Sequence, residues 1–219
     1  MIADPLPRRL LAEALGSALL AAVVIGSGIA AERLTDDSAI ALLANTGATV
    51  AGLAVLIALL APVSGAHFNP AVSLALALCR RLSWRDCAAY TLVQVAGCCL
   101  GAVLAHAMFE LPLVQLSSHA RAGTAQWVAE VIATLGLLLV VLGQRRAADV
   151  PWMIAGWIGT AYWFTSSTSF ANPAITLARS LSDTFTGIRP IDTLPFIGAQ
   201  IAGALLALFL SRVLFPETT

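Results

Sequence analysis

Two copies of the tripeptide Asn-Pro-Ala, at 69–71 and 172–174, are the residues whose types and spacing best fit a chemical role. Each Asn side chain has an amide that can donate hydrogen bonds to a passing oxygen. Asn followed by Pro is also a typical helix start, because Asn caps the first N–H groups and Pro has no N–H to satisfy. The apolar runs that follow are too short to cross a bilayer. The triplets therefore predict two half-helices, over about 69–79 and 172–182. The motif residues are Asn69, Pro70, Ala71, Asn172, Pro173 and Ala174.

Two acidic residues, Glu13 and Glu130, lie within apolar runs, where ionisable residues usually have a function. One interpretation is a proton relay. The other is loop support, in which each carboxylate accepts hydrogen bonds from the backbone that precedes a half-helix. Their matched placement in the two halves of the chain favours loop support.

Other reactive side chains give little indication of chemistry. His67 precedes the first triplet, but no His or Cys nearby supports a metal ligand or a pH gate, so we expect its ring to buttress the loop. The four cysteines have no metal-ligand spacing, and no nucleophile, base and acid converge. The sequence therefore predicts no metal, no cofactor and no enzyme activity.

The composition places the chain in a membrane. Of 219 residues, 59% are hydrophobic and 11% are charged, which is too little polar surface for a soluble fold. Apolar runs of about 20 residues are long enough to cross a bilayer as helices. The formal net charge of zero does not support a nucleic-acid partner. We expect an all-α membrane protein that is embedded in the lipid bilayer.

Six membrane spans are predicted, and they form a single domain over 1–219. The first apolar run continues to about Ala31, which fits a retained span better than a cleavable signal. The predicted spans cover 10–31, 39–61, 86–109, 125–143, 150–167 and 193–214.

The arginines predict the orientation. Eight of them fall on the side of the N-terminus and four on the other side, so the positive-inside rule places both termini in the cytoplasm. We expect a multi-pass protein of the inner (plasma) membrane. The eight are Arg8, Arg9, Arg80, Arg81, Arg85, Arg145, Arg146 and Arg212, and the four are Arg33, Arg121, Arg179 and Arg189.

Three landmarks recur in the same order in both halves, about 8–110 and 124–215. They are a glutamate, an Asn-Pro-Ala and a Gln-x-Ala-Gly, the last at 94–97 and 200–203. Each half has three spans, so the second half must be inserted upside down, as in an inverted 3+3 repeat. The half-helices then meet near the midplane, and the extended segments before them line a passage with carbonyl groups. The predicted pore-lining carbonyls belong to Gly65, Ala66, His67, Ser169, Phe170 and Ala171.

The stretch SGAHFNPAV at 64–72, together with the two glutamates, resembles the aquaporin and aquaglyceroporin family of major intrinsic proteins over nearly the whole chain. The resemblance implies six spans with two half-helices, a homotetramer with one pore per subunit, and passive conduction of water or small neutral solutes. The physics of the triplets agrees, because the positive ends of two half-helices and the Asn amides oppose proton passage.

The family also has an outer selectivity filter of four positions. Counting along the chain from the two Asn residues assigns these four positions to Thr49, Thr160, Ser169 and Ile175. Water-selective members usually have an aromatic residue, a His, a small residue and an Arg, whereas glycerol channels keep the Arg beside two aromatics. This chain has Ile175 at the arginine position, so we expect a wide, uncharged filter that admits solutes bulkier than water.

Arg179 leaves two interpretations open. It lies four residues beyond Ile175, on the same helix face and about 6 Å further out. It could line the outer mouth of the pore and attract partly anionic solutes. The favoured alternative is that it holds the outer loop, through Asp183 at i+4.

The sequence after the second triplet also resembles a bacterial subgroup tied to arsenic detoxification. The similarity lies in Ile175-Thr176, Ala178-Arg179 and the Ser-Asp-Thr-Phe of 182–185. We therefore expect a channel for neutral metalloids, such as arsenite and methylated arsenicals, or for glycerol, together with water. The alternatives are a water-selective aquaporin and a secondary transporter, although few ionisable residues are available for ion coupling.

Overall fold

The computed structural model describes residues 4–144 and 146–216, so Arg145, one of the arginines used for the orientation, lies outside the described residues. Within these ranges the chain forms eight helices and no strand. The helices are α1 (Leu6–Leu34), α2 (Ser38–Ser64), α3 (Pro70–Leu78), α4 (Trp84–Met108), α5 (Thr124–Gly143), α6 (Val150–Phe164), α7 (Pro173–Arg179) and α8 (Pro190–Leu214). The all-α fold with two short helices is as predicted.

Five helices, α1, α2, α4, α5 and α8, are long and apolar enough to cross a membrane. The remaining predicted span is shorter than expected. Helix α6 has 15 residues, about 22 Å at a rise of 1.5 Å per residue, against a hydrocarbon core of about 30 Å. It ends at Phe164 and not at 167, because Thr165 takes an extended conformation (φ −102°, ψ 138°) and leads the chain back towards α7.

Helix α2 is longer than predicted. The expected end before Pro62 is wrong, because Pro62 is accommodated in the last turn and the helix continues to Ser64. Gly65 then ends it in a left-handed conformation (φ 93°), which glycine adopts at little cost. This end places residues 65–69 inside the bundle.

Contacts at the helix ends define two faces of the bundle. The Arg9 side chain at the start of α1 forms an ion pair with Asp86 at the start of α4, and Arg33 at the end of α1 donates to the Phe109 carbonyl after α4. These two helices therefore run parallel. We call the end where α1 begins the N-terminal face and the other end the opposite face. Helices α5 and α8 both begin at the opposite face, where the Arg121 N–H donates to Asp192.

Two glycines bring the long helices of each half into close contact. A Cβ at Gly97 of α4 would overlap the carbonyl oxygen of Ala14 in α1, and a Cβ at Gly203 of α8 would overlap that of Val131 in α5. Helices without side-chain bulk at the contact can approach backbone to backbone, as is common in membranes. The same packing therefore occurs in both halves, and it surrounds a shared interior.

Candidate solute passage

A cavity of about 260 Å³ lies between the two halves. The segments before α3 and α7 contribute to its wall, together with side chains from six helices. Its wall is largely apolar towards the N-terminal face, where Ile57, Leu76, Val141 and Ile154 lie. Polar residues line it at the two Asn residues, at His67 on the N-terminal side, and at Thr49, Tyr162, Ser169 and Arg179 towards the opposite face.

The two half-helices begin at the centre of this cavity. Asn69 caps α3 by accepting from the Ala71 N–H (2.9 Å), and Asn172 caps α7 by accepting from the N–H groups of Ala174 (2.9 Å) and Ile175 (3.3 Å). The amide nitrogens cross between the halves. Asn69 Nδ2 donates to the Ala171 carbonyl and Asn172 Nδ2 donates to the Phe68 carbonyl, both at 2.8 Å. Each amide has a second N–H, and both Asn residues line the cavity.

The segments before the half-helices depart from the extended conformation that the sequence predicts. Ala66 and Phe68 have φ of 49°, and the matching residues Ser169 and Ala171 have φ of 49° and 47°. Positive φ is uncommon outside glycine and persists only where the surroundings hold it. Alternation of left-handed and ordinary residues turns the N–H groups to one side of the segment. The predicted carbonyl residues Gly65, Ala66, His67, Ser169, Phe170 and Ala171 all line the cavity.

Glu13 supplies the anchor for the first segment. Its Oε1 accepts from the Ser64 hydroxyl (2.6 Å) and the His67 N–H (2.9 Å). Its Oε2 accepts from the Phe68 N–H and from Gln94, both at 2.8 Å. The carboxylate is fully buried, and its four donors compensate the cost of burying a charge.

Glu130 supplies the same anchor in the second half. Its Oε1 accepts from the Ser167 hydroxyl (2.6 Å) and the Phe170 N–H (2.8 Å), and its Oε2 from the Ala171 N–H (2.9 Å) and Gln200 (2.7 Å). Both glutamates therefore hold loops, and neither side chain lines the cavity. This geometry supports the structural interpretation over a proton relay.

Each glutamine also joins its glutamate to the adjacent half-helix. Gln94 Nε2 donates to Ser73 Oγ (3.0 Å) in α3, and Gln200 Nε2 donates to Thr176 Oγ1 (2.9 Å) in α7. In the first half His67 Nδ1 lies 3.0 Å from the same Ser73 Oγ, and its ring meets Tyr90 edge-on. His67 thus buttresses the loop, and its ring forms part of the cavity wall.

Three of the four expected filter residues, Thr49, Ser169 and Ile175, line the cavity towards the opposite face. Thr160 is a correction. It is exposed, it lies outside the cavity wall, and its hydroxyl donates to the Gly156 carbonyl (2.9 Å) on its own helix. Tyr162 lines the cavity in its place, and its hydroxyl lies 3.4 Å from Thr49 Oγ1. Counting positions from the two Asn residues cannot decide between Thr160 and Tyr162, because the count does not fix which face of α6 turns towards the cavity. Residues two positions apart on a helix lie on different faces.

Arg179 also lines the cavity. Its side chain is 3% exposed, its Nε donates to the Thr186 carbonyl, and its guanidinium lies over the Phe170 ring. The favoured expectation of a bond to Asp183 is wrong, because Asp183 instead accepts from the N–H (2.8 Å) and hydroxyl (2.9 Å) of Ser118. Arg179 therefore both holds the outer loop and faces the passage.

Arg121 is a structural residue that sequence reasoning did not find. It donates to the carbonyls of Gly187 (2.7 Å), Ser167 (3.3 Å) and Phe185 (3.4 Å), and it lies 5.0 Å from the Phe170 ring centroid. It thereby ties the connection before α5 to the segments around α7. Its place in a polar loop gave no signal, because its three acceptors are backbone groups distant in sequence.

Half-helices that meet N-terminus to N-terminus inside a bundle of membrane-length helices define a channel-forming membrane protein built from an inverted repeat. The sequence profile of the family described as Major intrinsic protein matches residues 4–151, and the chain belongs to this family. It is accordingly a transport protein and not an enzyme.

Similar proteins agree with this placement. The chain is 55% identical over 209 residues to Aquaglyceroporin AqpS of Rhizobium meliloti (strain 1021), which covers 94% of this chain and 90% of that protein. It is 31% identical over 221 residues to Aquaporin A of Dictyostelium discoideum, covering 94% and 77%. The solved structure of the aquaglyceroporin from Plasmodium falciparum has the same fold, with a TM-score of 0.69 at 20% identity over 98% of this chain and 99% of that one.

Proposed function

We propose that this protein is a passive channel for small neutral solutes, with glycerol and water among its permeants. The observation that carries the proposal is the cavity wall at Ile175. A branched apolar side chain occupies the position directly after the second Asn-Pro-Ala, so the wall at this level presents no charge to a passing solute. Family membership and the 55% identity to a protein named an aquaglyceroporin support the same solutes.

Proton exclusion follows from the centre of the passage. One N–H of each Asn side chain, in Asn69 and in Asn172, donates to a backbone carbonyl of the other half, and this bond fixes the direction of the second N–H. A water or hydroxyl oxygen that accepts hydrogen bonds from both amides has its orientation fixed by them. It therefore cannot take up a proton from one side of the passage and release one to the other. The positive ends of the two half-helices add an electrostatic barrier to cations.

Neutral metalloids are the finer part of the proposal. Arsenite and methylated arsenicals are hydroxylated solutes of the width of glycerol, and the sequence around Ile175 and Arg179 resembles the arsenic-associated subgroup. The large apolar share of the wall suits solutes with methyl groups. We also propose a homotetramer in the inner (plasma) membrane with both termini in the cytoplasm, and one channel domain over 1–219 with repeat halves 8–110 and 124–215.

Stopped-flow measurements on proteoliposomes test the permeants. Water, glycerol, arsenite and a trivalent methylarsenical are compared with empty liposomes of the same lipid. Fluxes that rise above the empty control and stop at equal concentrations support a passive channel. Water flux alone would instead indicate a water-selective aquaporin, and accumulation against a gradient would indicate a transporter.

A further inference from the structure

We propose that His67 binds permeating solutes directly, because its imidazole ring holds a hydrogen-bond donor, Nε2–H, in the N-terminal half of the cavity. The inference rests on the proposed function, since it treats the cavity as a solute passage. It adds a role for the ring that support of the loop does not require. The group that this donor binds is a neutral oxygen acceptor, such as a hydroxyl group.

The first step is the hydrogen bonding of the Gln94 amide. Its Nε2 has two N–H groups, and it donates to Glu13 Oε2 (2.8 Å) and to Ser73 Oγ (3.0 Å). Both N–H groups are therefore used, and Ser73 Oγ accepts one hydrogen bond. The Ser73 side chain is fully buried, so its own hydroxyl proton needs an acceptor inside the protein.

The second step is the direction of the bond between Ser73 and His67. Among the described residues, Ser73 Oγ has one further partner, His67 Nδ1 at 3.0 Å. The matching hydroxyl of the second half, Thr176 Oγ1, also accepts from a glutamine, but it donates to the Asn172 carbonyl of its own helix (2.8 Å). Ser73 has no such alternative in the described part of the chain, so its proton goes to His67 Nδ1. Because Nδ1 accepts, the ring is neutral and carries its proton on Nε2.

The third step is the exposure of Nε2. A Cβ added at Gly65 would lie 3.0 Å from this nitrogen, so this edge of the ring lies over a residue that has no side chain. Gly65 is exposed, His67 is partly exposed, and both line the cavity. Within the described residues Nε2 has no hydrogen-bond partner, and it is not among the buried polar atoms without one. The donor is therefore open to a solute in the cavity.

The charged groups around the ring do not take this donor. Glu13 accepts from the His67 backbone N–H, but its two oxygens already have four donors and its side chain does not line the cavity. Arg9 lies over the Tyr90 ring and forms an ion pair with Asp86. A neutral donor therefore faces the cavity.

The apolar surroundings give the donor its effect. The wall towards the N-terminal face is largely apolar, and a hydroxyl group that enters it loses hydrogen bonds to water. The Nε2–H of His67 replaces one of them with a donor that is fixed in place. The second half has Phe170 at the matching position, two residues before its Asn, and so lacks this donor. His67 thus lowers the barrier for solutes whose oxygen accepts the bond.

Three substitutions of His67 separate the donor from support of the loop. In His67→Asn the amide lies about where Nδ1 lies and still accepts from Ser73, but no donor reaches the position of Nε2. In His67→Gln the amide lies about where Nε2 lies and donates into the cavity. His67→Phe copies the second half and has neither group. Glycerol flux into proteoliposomes, measured by stopped flow, should stay at about half of the wild-type value or more in His67→Gln, and should fall about threefold or more in His67→Asn and His67→Phe, as for the loss of one hydrogen bond.

The opposite order of fluxes would overturn the proposal. If His67→Asn kept the flux and His67→Gln lost it, the ring would only support the loop. Equal fluxes in the three variants, whether high or low, would also reject the donor. His119→Phe is the matched control, since this side chain is exposed and lies outside the cavity wall, and its flux should equal that of the wild type. A monodisperse gel-filtration profile shows that each variant is folded.

Nuclear magnetic resonance separates this inference from the proposed function. The ¹⁵N signals of the imidazole rings in detergent-purified protein report the tautomers without any flux. We expect the Nε2–H tautomer for His67, assigned by the signals that are lost in His67→Phe. His106 is an internal reference for the other tautomer, because its Nδ1 lies 2.9 Å from the Leu113 carbonyl, which can only accept. The Nε2–H tautomer without glycerol flux would reject the proposed function and leave the donor, whereas flux with a protonated Nδ1 of His67 would support the channel and reject the donor.

Discussion

The guanidinium carbon of Arg179 lies 3.4 Å from the centroid of the Phe170 ring. This contact joins α7 to the segment that precedes it, and it holds a positive charge one helical turn beyond Ile175. Ile175, where the resemblance leads us to expect a pore arginine, is apolar, while Arg179 faces the passage further out. Charge at the mouth and width at the filter become separate properties, which can be tested separately.

The first prediction concerns the width of the filter. Ile175→Arg should reduce glycerol flux tenfold or more and change water flux by less than threefold, because a guanidinium in the wall narrows it and binds water. Ile175→Val, which keeps an apolar wall, is the control. Stopped-flow light scattering measures both solutes, and a glycerol flux that survives the arginine would show that Ile175 is not at the narrow point.

The second prediction concerns which residue of α6 lines the filter, Tyr162 or the expected Thr160. Thr160→Val should leave water and glycerol flux unchanged, since Thr160 is exposed outside the cavity. Thr49→Val, the same chemical change at a cavity residue, should lower water flux about twofold or more by removing an oxygen from the wall. If the two variants behaved alike, the assignment of the filter would be wrong.

The third prediction concerns the buried carboxylates. Glu13→Gln should destabilise the protein by about 2–4 kcal/mol, because a neutral amide replaces a charged acceptor of four hydrogen bonds and turns an NH₂ towards donors. Glu130→Gln should cost a similar amount. The thermal midpoint in detergent reports the loss. An unchanged midpoint together with altered proton leakage would favour the relay interpretation instead.

The fourth prediction concerns the close helix contacts. Gly97→Ala should destabilise the fold by roughly 1–3 kcal/mol, since a Cβ there overlaps the Ala14 carbonyl. Gly198→Ala is the matched control on α8, where an added Cβ meets nothing within 4 Å. The control should be neutral or slightly stabilising, because Ala favours a helix over Gly. Thermal midpoints of the two variants that do not differ would reject this packing.

The fifth prediction is a pH dependence in the outer loops. Hydrogen bonds from the Ser118 N–H and hydroxyl lower the pKa of Asp183 below its ordinary value of 3.8. A carboxylate with a depressed pKa in the folded state stabilises the fold above pH 3.8, and this contribution is lost as the pH falls through the lower folded pKa. The thermal midpoint of Asp183→Asn should therefore lie below that of the wild type at pH 5–7, and the two should converge below about pH 4. A constant difference down to pH 3 would exclude this role.

Much of the fold could be predicted from the sequence, because membrane helices and half-helices have strong local signals. A long apolar run in lipid satisfies its backbone groups by forming a helix, and Asn followed by Pro favours a helix start. The duplicated Glu, Asn-Pro-Ala and Gln-x-Ala-Gly also predicted that the two halves are equivalent. The mutual bonds of Asn69 and Asn172 fit this inference, since each half supplies the acceptor of the other.

Only the tertiary structure decided which side chains face the passage. Tyr162 and Thr160 lie on one short helix, and packing alone places the first in the cavity wall and the second outside. The positive φ of Ala66 and Ser169 likewise depends on carboxylates that are distant in sequence. Asp183, the expected local partner of Arg179, instead accepts a hydrogen bond from Ser118. Arg179 contacts Phe170 and Thr186 and therefore faces the cavity. The sequence by itself determined the architecture, because local backbone chemistry dictates it, whereas the charge and shape of the mouth depend on long-range contacts that no local pattern encodes.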